Sequence, residues 1–192
     1  MKAEEVALIV LAAGRSERFG TEDKLSASLG GLALGLHTPQ RLSVLPWGDR
    51  VAIHGGDLEA PLSALGFRVI APAQAKAGMG DNMARAIGQS TDIRAALIVL
   101  ADMPFVSLRH VSQMLEVAEN NTIIISRDGA LSLPPVLFHA THFEALKRLS
   151  GDQGARQLIE AHEAIRVPLS PEEALDVDTP DDLRTARRYA DS

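Results

Sequence analysis

Two apolar runs, Ala7-Leu8-Ile9-Val10-Leu11 and Ala96-Leu97-Ile98-Val99-Leu100, carry the same five residues with no alternation of polar positions. A run of this kind predicts a strand buried on both faces, as in a parallel sheet covered by helices. The echo predicts two central strands ending at the same edge of one sheet, where ligands of open α/β folds bind. Around them strand-like and helix-like patterns alternate. After a turn at Gly30-Gly31, the spacing of Leu34, Leu42 and Leu45 predicts a helix, Arg50 to His54 a strand, Asp57 to Leu65 a helix capped by Asp57, and Phe67 to Ile70 a strand. A helix capped by Asp81 or Asn82 follows through Met83 and Ile87. Leu108 to Asn120 reads as a helix and Thr122 to Ser126 as a β-branched strand. Pro134 and Pro135 place the run through Phe138 on a sheet edge, because proline cannot donate to a central ladder. Helices over Phe143 to Leu149 and Gly154 to Ala161, a strand over Ile165 to Leu169 and a helix over Asp181 to Tyr189 complete the chain. The alternation predicts a single-domain, doubly wound α/β fold over residues 1–192, mostly parallel, with an antiparallel strand near residues 122–140.

Composition narrows the function classes. The 192 residues, 46% hydrophobic and 23% charged, suit one ordinary globular core. A formal net charge of −6 argues against nucleic acid as a partner, since no excess of Lys and Arg exists to neutralise a phosphate backbone. The absence of cysteine removes disulfides, iron–sulfur clusters and thiolate zinc sites. Glu4 and Glu5 before a short apolar run do not fit a signal peptide, and no apolar run reaches the length of about eighteen residues that a membrane span needs, so the cytoplasm is the expected location.

Three constellations carry candidate chemistry. The first follows the first strand. From Leu11 through Ala12, Ala13, Gly14 and Arg15 the small residues let backbone N–H groups approach an anion, and Arg15, Arg18 and Lys24 supply cations suited to a triphosphate. The loop lacks the Gly-Lys-Ser/Thr of a P-loop and the G-x-G-x-x-G of a dinucleotide site. A solvated surface loop is the plain alternative. The second is Asp102, at the end of the second buried run and before Met103-Pro104, which is either a turn-forming residue or a hard ligand for Mg²⁺. The third is Asp176-Val177-Asp178-Thr179-Pro180-Asp181-Asp182. A helix start explains Asp181 and Asp182 there but not Asp178. Two glycine turns have plain local readings: Gly78 and Gly80 before Asp81, where Asp81 caps a helix, and Gly151-Asp152-Gln153-Gly154-Ala155-Arg156, a helix-start turn with Arg156 in a surface ion pair. The six histidines are scattered; His54 is a weak site candidate, and His139 and His142 lack a third ligand for zinc.

Taken in order, LAAGRSERFGTEDKL, GMG, ADMPFV, GDQGAR and DVDTPDDL resemble the MobA-like nucleotidyltransferases, which include the molybdenum cofactor guanylyl- and cytidylyltransferases. Ala101 stands where that family's GDMPxV has glycine. The resemblance implies a Rossmann-like nucleotidyltransferase sandwich, with Arg18 and Lys24 on the NTP phosphates and Mg²⁺ held by Asp102 and Asp178. Arg18, Lys24 and Asp102 would be the catalytic residues, the glycine turn would approach the nucleobase or ribose, and Asp152 and Arg156 would lie near the second substrate. The implied reaction moves NMP from CTP or GTP to a phosphorylated acceptor, molybdopterin above others, and releases pyrophosphate. Ala13 and the GDQGAR string lean toward CTP. A molybdoenzyme or its chaperone is the implied protein partner, and neither nucleic acid nor membrane is. Leu133-Pro134-Pro135-Val136 departs from the family's Gly-His-Pro, and Gly31-Leu32-Ala33-Leu34 lacks its usual proline. Those departures leave sugar or isoprenoid-precursor phosphates as alternative acceptors. Other classes are a non-catalytic cofactor-binding maturation protein and, further off, a nicotinamide-dependent oxidoreductase.

Overall fold

The structure, a computed structural model, describes residues 1–13, 19, 23–73, 78–119, 122–151 and 155–190. The strands are β1 (Val6–Leu11), β2 (Ser28–Leu29), β3 (Leu32–Ala33), β4 (Asp49–Ile53), β5 (Arg68–Ile70), β6 (Ala95–Leu100), β7 (Ile123–Asp128), β8 (Leu131–His139) and β9 (Ala164–Pro168). The α-helices are α1 (His37–Leu42), α2 (Glu59–Ala64), α3 (Met79–Gln89), α4 (Leu108–Glu116), α5 (Phe143–Leu146), α6 (Arg156–Glu160) and α7 (Pro180–Ala190). Among the described residues the main sheet has seven strands in the order β5-β4-β1-β6-β8-β7-β9. Strand β8 runs antiparallel to both neighbours, and the other pairs are parallel. The expected doubly wound, mostly parallel architecture is therefore present.

The two echoed runs lie side by side in register, Ala7 opposite Ala96 and so on to Leu11 opposite Leu100. Because side chains alternate along a strand, Val6, Leu8 and Val10 face Leu42 of α1, Leu62 of α2 and Val111 of α4. Ala7, Ile9 and Leu11 face Met83 and Ile87 of α3 and Leu146 of α5. Helices thus cover both faces, which is why the two runs needed no polar positions. A third apolar cluster joins Leu29 and Leu34 around the β2–β3 hairpin to Val177, Leu183 and Ala186 at α7.

Three expectations are corrected. Strand β8 is not an edge strand; it is inserted between β6 and β7. It tolerates its prolines because the register with β7 shifts from Ile125 opposite Val136 to Ser126 opposite Leu133, leaving Pro134 and Pro135 at a bulge, and pairing with β6 begins only at Val136. Ser126 Oγ, fully buried, donates to the Pro135 carbonyl at 2.7 Å and meets His110 Nε2 at 2.7 Å. Asp57 does not cap α2: the N-cap is Leu58, the Glu59 N–H that a capping Asp57 would accept goes to the Gly56 carbonyl at 3.3 Å, and the Leu58 N–H goes to His54 Nε2 at 3.2 Å. Helix α3 starts earlier than expected, at Met79 with Gly78 as its N-cap, and Asp81 inside its first turn accepts the Gly78 N–H at 3.0 Å.

Burial lowers the His110 pKa, opposed by the negative charge of Glu173. A folded pKa below the unfolded value means that unfolding takes up a proton, so this contribution is complete above about pH 6.5 and is lost as pH falls toward the folded pKa. Between about pH 7.5 and pH 5.5, urea unfolding should show a less unfavourable change in stability for His110→Gln than for the wild type; His37 and His139, also lowered, act in the same direction as His110, and the raised carboxyl of Asp176 opposes them in both proteins.

Candidate active site

The carboxyl ends of β1 and β6 bring the first two constellations together. Asp23 caps a short 3₁₀ turn over Lys24–Ser26, its Oδ1 accepting the Leu25 N–H at 3.1 Å. That turn directs the buried Lys24 inward, where Nζ donates to Asp102 Oδ2 at 2.7 Å and to Asp178 Oδ1 at 2.6 Å. Partners separated by 78 and 154 residues in sequence meet on one ammonium. Burial works against the Lys24 ammonium, but the charges and hydrogen bonds of Asp102 and Asp178 outweigh it and raise its pKa.

Main-chain and buried polar contacts fix the two aspartates. Leu11 and Asp102 both receive strand-end bonds: the Ala101 N–H donates to the Leu11 carbonyl at 3.1 Å, and the Val177 N–H to the Asp102 carbonyl at 3.0 Å. Fully buried Thr38 donates to the Met103 carbonyl at 2.6 Å, and Arg41 to the Pro104 and Val106 carbonyls at 2.7 and 3.1 Å, so α1 clamps the chain after Asp102. Asp178 is set by the start of α7. Asp182 Oδ2 accepts from the N–H groups of Asp178 and Thr179 and from the Thr179 hydroxyl, while Thr179 Oγ1 accepts the Asp182 N–H, a reciprocal cap that leaves the Asp178 carboxylate to the site.

A carboxylate that the sequence reading passed over completes the cluster. Asp102, Asp176 and Asp178 offer oxygens within 4.8 Å of one another. The signal for Asp176 was its spacing: residues i and i+2 of an extended segment share a side, with fully buried Val177 between them. Burial against the site, then the charges of Asp102 and Asp178, push the Asp176 carboxyl up to about 7. Because Asp176 keeps an exposed face, water screens part of that effect. Asp102 Oδ1 is buried with no hydrogen-bond partner among the described residues. An orphaned carboxylate oxygen within an all-oxygen donor set fits a hard divalent cation, with Asp102 and Asp178 as ligands and Asp176 beside them.

The other candidates divide. Ala12 donates its N–H to the Ile53 carbonyl at 2.9 Å, so that amide serves the sheet and not an anion, contrary to expectation. Its carbonyl accepts from His54 Nδ1 at 2.9 Å. Buried His54 thereby ties the end of β4 to the start of the loop and to α2, a positioning role that a scattered histidine did not announce in sequence. Ala13 lies at the partly buried exit from β1. Gly80 is required by packing, since a Cβ there would come within 2.9 Å of the Gly151 carbonyl oxygen. Asp81 accepts the N–H groups of Gly78 and Gly151, linking the two glycine turns. Arg156 is exposed and paired with Glu160 at 2.8 Å, and it lies on the wall of a cleft of about 660 Å³ between α3, α6 and the β7–β8 hairpin, floored by Ile98, Leu100, Ile125 and Val136, with Arg166 on its lining. Gly14, Arg15, Arg18 and Asp152 lie outside the described residues. Among the described residues no helix is long and apolar enough to cross a membrane.

Comparison with known proteins decides the family. The model of the MobA-like NTP transferase domain matches residues 8–165. The chain belongs to the MobA-like NTP transferase family. This MobA-like chain is 29% identical to the purine catabolism protein PucB of Bacillus subtilis, over 94% of its own length and 95% of that protein's. It is 30% identical to a molybdenum cofactor guanylyltransferase of Rhizobium leguminosarum, over 98% and 94%. A Mycobacterium tuberculosis protein solved in complex with manganese shares the fold at a TM-score of 0.76 and 22% identity, covering 96% of this chain and 98% of that one.

Replacing His54 by leucine leaves the Ala12 carbonyl and the Leu58 N–H buried and unpaired, a cost of about 1–3 kcal/mol per orphaned group. Denaturant unfolding of His54→Leu should show a loss of that order, and His54→Asn, which keeps a donor near Ala12, should recover part of it.

Proposed function

We propose that this MobA-like protein is a Mg²⁺-dependent transferase that moves the NMP part of an NTP, CMP in preference to GMP, to the phosphate of a molybdopterin-type cofactor. The observation that carries this reading is the Lys24 ammonium held by Asp102 and Asp178 where β1 and β6 end. Nucleotidyl transfer asks for positioning and charge neutralisation more than for covalent help. An oxygen of the acceptor phosphate attacks the α-phosphorus, a new P–O–P linkage forms, and the bond to the bridging oxygen breaks, so that pyrophosphate leaves with the electron pair. The acceptor monoester has a second pKa near 6 and is already largely anionic at neutral pH, so no general base is needed. Asp102 and Asp178 would hold a divalent cation, which would supply charge neutralisation to the transferring phosphoryl group. Lys24 and Arg18 hold the triphosphate, and His54 positions the start of their loop through Ala12.

The cleft beside Leu100 has the size of a small-molecule site and takes the ring system of the acceptor, with Arg156 and Arg166 toward its anionic groups. The molybdopterin assignment is supported by the guanylyltransferase relative. The cytidylyl preference is supported by Ala13 and by the GDQGAR string. That same relative favours GTP as the second reading of the donor. The protein partner under this reading is a molybdoenzyme or its chaperone.

Thermal unfolding with CTP, GTP, ATP and UTP, each with Mg²⁺ or with EDTA, tests the reading. A ligand at a hundredfold excess over its Kd stabilises the fold by about 2.7 kcal/mol. CTP with Mg²⁺ should give the largest shift, and Asp102→Ala should lose it along with pyrophosphate release. A larger shift with GTP would select the second reading. No shift with any nucleotide would overturn the proposal.

A further inference from the structure

The oxygens that hold Lys24 are the ones a cation on this site would use. Lys24 Nζ contacts Asp102 Oδ2 at 2.7 Å and Asp178 Oδ1 at 2.6 Å, and the lysine side chain is only 4% exposed. The ammonium is therefore a buried counter-ion at contact distance, unlike the mobile lysines of a protein surface. The cluster is small: the three carboxylates offer oxygens within 4.8 Å of one another. An ammonium and a divalent ion sharing the same two oxygens would be separated by little more than contact distance, where they repel one another although Asp178, 45% exposed, lets water screen part of the effect. The lysine also has somewhere else to go. It sits on a single 3₁₀ turn at the end of the cation-bearing loop, and its four-carbon stem is flexible, so the charge can change partner while the turn stays in place.

We propose that Lys24 gates the cation site: its ammonium closes the Asp102–Asp178 pair to free divalent ions, and a bound triphosphate opens the pair by drawing that ammonium onto its own oxygens. The gate rests on the nucleotide reading given above. Carboxylate charge is compensated in part when closed and more fully when open. When closed, one ammonium faces the carboxylates; when open, a divalent ion faces them and the ammonium faces the phosphate oxygens. The cation and the triphosphate therefore enter as a coupled pair, each raising the affinity of the other by the same factor. A free divalent ion therefore binds the carboxylates only weakly ahead of the substrate.

Mn²⁺ binding to the full chain, followed by the paramagnetic resonance signal of the free ion, tests the gate. Without nucleotide, the wild type and Lys24→Arg should bind Mn²⁺ weakly, while Lys24→Gln, which keeps a hydrogen-bonding group but no charge, should bind at least about tenfold more tightly. Equal affinities in the wild type and Lys24→Gln, or tight binding by Lys24→Arg, would overturn the gate. A second measurement needs no variant: a non-hydrolysable α,β-methylene analogue of CTP or GTP, whichever calorimetry shows to bind, should tighten Mn²⁺ binding by wild-type protein beyond that of the analogue alone. An analogue that binds and leaves Mn²⁺ affinity unchanged would sink the gate and spare the nucleotide reading. Failure of every analogue to bind in calorimetry would sink the nucleotide reading and the gate with it.

Discussion

Like charge sets the central constraint of this molecule. Carboxylates of Asp102, Asp176 and Asp178 are held within 4.8 Å of one another, an arrangement that opposes itself unless a cation is present. The buried Lys24 ammonium supplies that cation with two short contacts. Burying an ion pair costs desolvation that its Coulombic attraction only roughly repays. Such a cluster is therefore a poor stabiliser, and its concentration at one sheet edge is better understood as a demand of phosphate chemistry.

The backbone makes the cluster possible. Strict register between β1 and β6 delivers the Lys24 loop and Asp102 to the same edge, and the Val177 N–H on the Asp102 carbonyl draws in the distant segment that carries Asp176 and Asp178. Around this seam the buried polar groups serve main-chain atoms: Thr38 and Arg41 after Asp102, and His54 at Ala12. Each gives a main-chain carbonyl beside the charged groups a hydrogen-bond partner.

A second region of the sheet has a different character. Beyond β6 the inserted antiparallel strand β8 bulges at its prolines, buttressed by Ser126 and His110. The cleft opens against this part of the sheet and is apolar on its floor. One edge thus concentrates charge for phosphates, and the neighbouring face offers a surface for an organic body. That division suits a reaction joining two phosphorylated substrates, each with a ring system to be held.

Much of this was legible in the sequence, for physical reasons that can be named. The two identical apolar runs announced buried parallel strands because only a strand covered on both faces dispenses with polar positions. Lys24 and Asp102 stood out as candidates because their local strings carry residue types that suit phosphate and metal chemistry, and Asp178 through the resemblance of its string to the family's; the structure brings the three side chains together. What the sequence could not determine depended on contacts between distant segments. The placement of β8 inside the sheet required a bulge whose partner lies on another strand. The start of α2 fell to Leu58 and not to Asp57, with the Glu59 N–H on the Gly56 carbonyl and the Leu58 N–H on His54 from the end of β4. Asp176 acquired its chemical character only when folding brought Asp102 beside it. Local pattern reports what a segment prefers, whereas charge proximity and hydrogen-bond partnership are properties of pairs, and only the tertiary structure decides which pairs exist.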